Sequence, residues 1–149
     1  MKRYAQKIAN DIQVIEAKEY LVSGYKVPFS FEIIPSDMKW LASFSGEISN
    51  SAYYFSSFGN VNADNKHVVN GSLRPGPDTT WQPWVYENRL EVAKKVSSKK
   101  HELNQKNLSD VTRRNKIVEF MKAQASRQEF PPLLGNLVDK SYAEPLHKF

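Results

Sequence analysis

Asp37 is the residue of this 149-residue chain whose position most resembles that of a metal ligand. It follows an apolar run from Val27 to Ile34 that Pro35 interrupts. A carboxylate at the end of a buried strand is where nucleases and phosphoryl-transfer folds place a Mg²⁺ ligand. Two-metal chemistry needs several such carboxylates converging on ions about 4 Å apart. Glu32, on the polar parity of the run, and Glu47, ten residues on, are the available partners. The same residues have a plainer reading. Ser36 can cap a helix over residues 37–46, accepting from the amide of Met38 or Lys39, while Asp37 favours the dipole of its first turn. On the residues alone the helix start is the better reading. A third possibility, a small hydrolase pocket, would rest on Asp37, Glu32 and Glu47 together.

The second candidate chemistry is phosphate binding. Residues 1–84 carry 8 Lys/Arg and 8 Asp/Glu, whereas residues 85–149 carry 13 and 8, so the whole net charge of +5 lies in the second part. Between Arg89 and Arg127 there are 11 Lys/Arg against 4 Asp/Glu, a surplus of seven. Arg89, Lys94, Lys95, Lys99 and Lys100 form one group, and Arg113, Arg114 and Lys116 another. Such faces can neutralise DNA phosphates with a steep salt dependence. The alternative is a solvated helix face that touches nothing. No helix-turn-helix, zinc-finger or single-strand-binding motif decides between the two.

Other side chains offer less. His67, His101 and His147 are far apart and lack zinc-ligand spacing. Trp81, Trp84 and Tyr86 could stack on bases, or could anchor a loop to a helix. There is no cysteine, hence no disulfide framework or thiolate metal site. Neither a glycine-rich phosphate loop nor a nucleophile–histidine pair is recognisable. No apolar run reaches the roughly 18–20 residues of a membrane span. The expected setting is intracellular, with a nuclear location open. The glycosylation triplets at Asn70 and Asn107 read as accidents.

Positioning these residues requires several elements. Tyr4, Ile8, Ile12, Ile15 and Val22 form a stripe that predicts a helix over 3–22, ended by Ser23-Gly24. Val27, Phe29, Phe31 and Ile33 alternate and predict a strand over about 27–34. Trp40, Leu41 and Phe44 give the helix after Asp37 an apolar face, and Gly46 ends or bends it. Residues 52–58 read as a second strand or a core-facing loop. Residues 59–83, rich in Asn, Gly and Pro, form a long irregular loop closed by Trp81 and Trp84. Helical spacing returns over 84–105 and over 109–125, the latter capped by Ser109. A short helix follows Pro131-Pro132.

The stretches IIPSDMKWLASFSGEISNSA, TWQPWVYENRLEVAKKV, SRQEFPPLLG and AEPLH resemble part of a transposon-derived open reading frame. Such frames are similar to RNase H-like (DDE) transposases of the type related to the V(D)J recombinase. The resemblance spans about residues 25–149. It implies that Asp37 is the second of three metal-binding carboxylates, with Mg²⁺ as the cofactor and DNA as the partner. The first aspartate has no clear match, and the third carboxylate is expected beyond residue 149. The zinc-ligating cysteines of that group are absent, with AYYFSSF in their region, and His147 could echo a histidine ligand.

The sequence therefore predicts a single α-rich α+β domain over 1–149, with four to five helices around a small β element. It reads as a transposase-derived nucleic-acid-binding domain without a complete catalytic site of its own. The alternative is a helical protein–protein interaction module, with a protein partner or a second copy of itself and no enzymatic activity.

Overall fold

The structure, a computed structural model, describes residues 2–33, 37–49 and 51–142. Among the described residues there are four α-helices, a 3₁₀ helix and a two-stranded antiparallel sheet, in the order α1 (Lys2–Glu16), β1 (Tyr20–Val22), β2 (Tyr25–Val27), α2 (Met38–Phe44), α3 (Tyr86–Asn104), α4 (Asp110–Ala123) and the 3₁₀ helix Gly135–Lys140. The architecture is the expected α-rich α+β class. Among the described residues no helix is long and apolar enough to cross a membrane.

The N-terminal helix is shorter than its apolar stripe predicts. It ends at Glu16, and residues 20–27 form a hairpin pairing Tyr20 with Val27 and Val22 with Tyr25. Ser23 and Gly24 have φ of 51° and 83°. Two consecutive left-handed residues make the turn that matches the twist of a tight hairpin, not a helix C-cap. The β-branched and aromatic residues on either side override the helical spacing. The β element therefore occupies 20–27 and not 27–34. Pro28, which has no N–H to donate, follows β2 directly. Of the expected strand, Val27 pairs as the last residue of β2, and Ile33 forms an isolated bridge to Ser141. The Ile33 N–H donates to Lys140 O at 2.9 Å, and its carbonyl accepts from Tyr142 N at 2.9 Å. Glu16 laces the same region, bonding Lys140 Nζ at 2.6 and 2.7 Å and accepting from Phe31 N at 2.8 Å.

Asp37 itself is the N-cap of α2, its carboxylate accepting from Lys39 N at 2.7 Å. Ser36, the expected cap, lies outside the described residues. Leu41 and Ala42 are buried, and Trp40 stacks on Phe44 at 4.3 Å. The chain then turns at Gly46, whose φ is +76°. The Gly46 carbonyl accepts from Glu129 N and Phe130 N at 3.0 and 2.9 Å, and Ile48 N donates to Arg127 O at 3.0 Å. Segments 44–48 and 126–133 are thus sewn together.

Residues 52–58 are a loop, with Tyr54 bridged to Asn62. The long connection over 59–83 is irregular, as expected, and internally bonded. Asn60 N donates to Gln82 O and Trp81 N to Ser72 O, both at 3.0 Å. The Trp81 ring covers Gly71, where any Cβ would lie 2.3 Å from it. Trp84 faces Tyr54 and donates Nε1 to Ser56 O at 3.3 Å. Both tryptophans therefore anchor the loop. Further on, α3 packs on α4 through Val96, Leu103, Ile117 and Met121, with Ile48 and Phe120 against them. Ser109 caps α4 as predicted, accepting from Thr112 N at 3.2 Å. A second cluster joins Ala9 of α1 to Leu134 and Leu137.

A Cβ at Gly46 would lie 2.2 Å from Phe130 O and would force a non-glycine residue into positive φ. We expect Gly46→Ala to cost about 3 kcal/mol, the upper end for local backbone strain. Chemical denaturation checks this, and a loss under about 0.5 kcal/mol would contradict it.

Candidate nucleic-acid interface

The eight basic residues singled out in the sequence separate into three groups. Arg89 belongs to the interior. It is 4% exposed, and its guanidinium bonds the Glu47 carboxylate, Gln128 Oε1 at 3.0 Å and Ser57 O at 2.6 Å. Arg127, 1% exposed, bonds the other Glu47 oxygen, Ser57 Oγ and Phe55 O. The Glu47 side chain is itself only 1% exposed. Burial and the neighbouring Arg89 draw the Arg127 pKa below its ordinary value, while Glu47 opposes the shift. Gln128 completes the node by donating to Ser45 O and Phe130 O, both at 2.5 Å. Arg89 thus holds α3 to the segments at 45–57 and 126–130, and it presents nothing to a polyanion.

Lys100, Arg113 and Arg114 form the second group. Lys100 and Arg114 converge on Glu129, at 2.8 and 2.5 Å. Burial raises the Glu129 pKa, but those two cations outweigh it and hold the carboxyl below its ordinary range. Lys100 also lies 3.9 Å over the Phe130 ring. Arg113 folds back on α4, bonding Asp110 at 2.5 Å and Leu108 O at 3.1 Å.

The third group is exposed or partly exposed around the packing of α3 on α4. Lys94, Lys95, Lys99 and Lys116 border a cleft between α3 and α4, made of two hollows of about 450 and 460 Å³ that share Lys99 and Phe120. Lys106, which the sequence reading did not single out, joins them. Leu103, Leu108 and Phe120 line the base, and Glu102 and Glu119 also border the cleft. Five lysines against two glutamates leave it basic. Lys99 and Lys106 share Glu102 at 2.7 and 2.5 Å, and Lys95 pairs with Glu91 at 2.6 Å. Among the described residues, Lys94 and Lys116 make no ion pair. Exposed pairs of this kind contribute little and exchange readily for phosphate contacts. Lys106 reaches the cleft from just beyond the end of α3, pairing with Glu102 four residues before it. The part played by Phe120 was not legible in the sequence, because beside Ile117 and Met121 it is spaced like any other apolar residue of a helix core face.

The acidic corner does not assemble a Mg²⁺ site from the residues expected. Glu32 and Asp37 are exposed, and Asp37 is engaged as a helix cap. Both oxygens of Glu47 are bonded to guanidinium groups, so Glu47 is not available as a second ligand. Among the described residues no three His, Asp or Glu side chains gather closely enough to hold a metal ion. His67 and His101 are exposed, and His147 lies outside the described residues.

Removing one partner from a buried ion pair leaves an uncompensated charge, at a cost of about 3–5 kcal/mol. We expect Glu47→Gln to lower unfolding free energy by that amount and Lys95→Ala by less than about 1 kcal/mol. Equal effects in denaturant titrations would contradict the division between interior and surface. At the cleft, hydrogen bonds from Lys106 and then Lys99 push the Glu102 pKa from 4.5 to about 2. Its folded value is the lower one, so the stabilisation is present above the unfolded value and is lost as pH falls from about 5 towards 2. Carboxyl NMR titration should place the Glu102 midpoint near 2; a midpoint near 4.5 would show that the lysines are not held there.

The chain matches no protein-family model, no curated protein and no solved structure.

Proposed function

We propose that this is a transposase-derived nucleic-acid-binding domain that holds a DNA phosphate backbone on the cleft between α3 and α4. The observation that carries the reading is the gathering of Lys94, Lys95, Lys99, Lys106 and Lys116 around two adjoining hollows. Four or five cations gathered in one region can neutralise neighbouring phosphates. The transposase origin rests on the sequence resemblance, and an intracellular, nuclear setting goes with it. The proposal covers binding. Strand transfer at Mg²⁺ through Asp37 would call for carboxylates other than Glu47, which is committed to Arg89 and Arg127.

One observation favours the second reading, a protein-interaction module. Tyr4 and Ile8 on α1, and Leu21, Val22 and Tyr25 on the hairpin, are exposed by 56–77%. Apolar side chains left open in this way mark contact surfaces when they are contiguous. On this reading the partner is another protein or a second copy of the chain, and the lysines are merely solvated.

Salt dependence separates the two. With about four phosphates neutralised, affinity for a short DNA should fall on the order of a hundredfold between 50 and 200 mM salt. Replacing Lys94, Lys95, Lys99 and Lys116 together by alanine should remove most of the binding and flatten that dependence. Undetectable binding at low ionic strength, or binding indifferent to the four substitutions, would leave the interaction-module reading. Fluorescence anisotropy measures both.

A further inference from the structure

We infer that the cleft between α3 and α4 is built for single-stranded DNA, with a base seated on Phe120. The inference rests on the nucleic-acid reading above and names the form of DNA bound. Its starting point is the chemical contrast within the cleft. The border is cationic, but the base is apolar, made by Leu103, Leu108 and Phe120, with Phe120 and Leu108 half-buried. A duplex offers phosphates and groove edges, and its base faces are stacked inside; it has no use for an apolar floor beneath lysines. A single strand presents both, with phosphates for the border and base faces for the floor.

Side-chain geometry agrees. The hollows, about 460 and 450 Å³, are shallow and open to solvent, so a base would lie against their surface. The two meet at Phe120, so one ring can serve a base approaching from either. Lys99 Nζ lies 6.0 Å from the centre of the Phe120 ring, within cation–π distance. A base entering above the ring would take that place, and Lys99 would turn to a neighbouring phosphate. Its present bond, to Glu102 at 2.7 Å, joins two partly exposed groups and is easily exchanged. Lys94 and Lys95 then lie towards one end of the strand and Lys106 and Lys116 towards the other. The apolar floor also favours deoxyribose, which buries no 2′-hydroxyl against Leu103 and Leu108.

The test uses the intact chain and fluorescently labelled dodecamers at one fixed low salt concentration: oligo-dT, an abasic strand of the same length, a duplex, and the matching oligo-U RNA. Stacking contributes enough to make oligo-dT bind about five- to a hundredfold more tightly than the abasic strand. Phe120→Ala should remove that margin without changing affinity for the abasic strand. Because Phe120 also packs on the helix core, Phe120→Leu, which keeps apolar bulk, serves as the second variant and should lose most of the same margin with its circular dichroism unchanged. Equal binding of oligo-dT and the abasic strand would overturn the inference. Tighter binding of the duplex would overturn it and leave the phosphate-binding reading standing. Tighter binding of the RNA would overturn the assignment to DNA. No binding of any strand would remove both.

Discussion

A single buried carboxylate, Glu47, is shared by two buried arginines, and the placement of everything else follows from it. Glu47 leaves the end of α2 just after Gly46, Arg89 comes from the first turn of α3, and Arg127 follows α4. Three segments far apart in sequence are therefore tied at one point. Burying three charges costs several kcal/mol each unless every group finds partners in good geometry. Ser57, Gln128 and the carbonyls of Phe55 and Ser57 supply most of them, while Arg89 Nε has no hydrogen-bond partner among the described residues. A network of this kind is weak evidence for net stability, and removing one member leaves an uncompensated buried charge.

This tie has a consequence for the surface. Arg89 is turned inward, while Lys94, Lys95 and Lys99 of α3 border hollows to which α4 contributes Lys116 and Phe120. Glu129, next but one to Arg127, gathers Lys100 and Arg114 to one flank. The positive surplus of residues 89–127 is thus sorted. Two arginines are structural, three cations fold onto neighbouring carboxylates or carbonyls, Lys122 lies over the Tyr53 ring, and five lysines border an open cleft.

Much of the fold was legible in the sequence, because it depends on local chemistry. Ser109 capping α4, the apolar spacing of α3 and α4, and the irregular 59–83 connection all follow from residues close together in the chain. The hairpin was misread because Tyr4, Ile8, Ile12 and Ile15 set up a helical period that Val22 happens to continue. Only the pairing of Tyr20–Val22 with Tyr25–Val27 reveals Ser23-Gly24 as a turn. The candidate site was less legible, since net charge cannot tell an arginine that faces solvent from one that meets a carboxylate forty residues away. Glu47 looked like a metal ligand near Asp37 for the same reason. Three of the four stretches behind the transposase resemblance meet at its carboxylate, through Glu47, Arg89 and the Arg127-Gln128 pair. Their distinctive residues include those of an internal tie.

The central claim is that the phosphate-binding face is the lysine-bordered cleft, and residue-by-residue NMR of the intact chain tests it most directly. On titration with a short DNA strand, amide shifts should concentrate at residues 94–106 and 116–120, with the signals of Glu47, Arg89 and Arg127 unmoved. Shifts centred on α1 and the hairpin, or spread evenly over the molecule, would contradict the account.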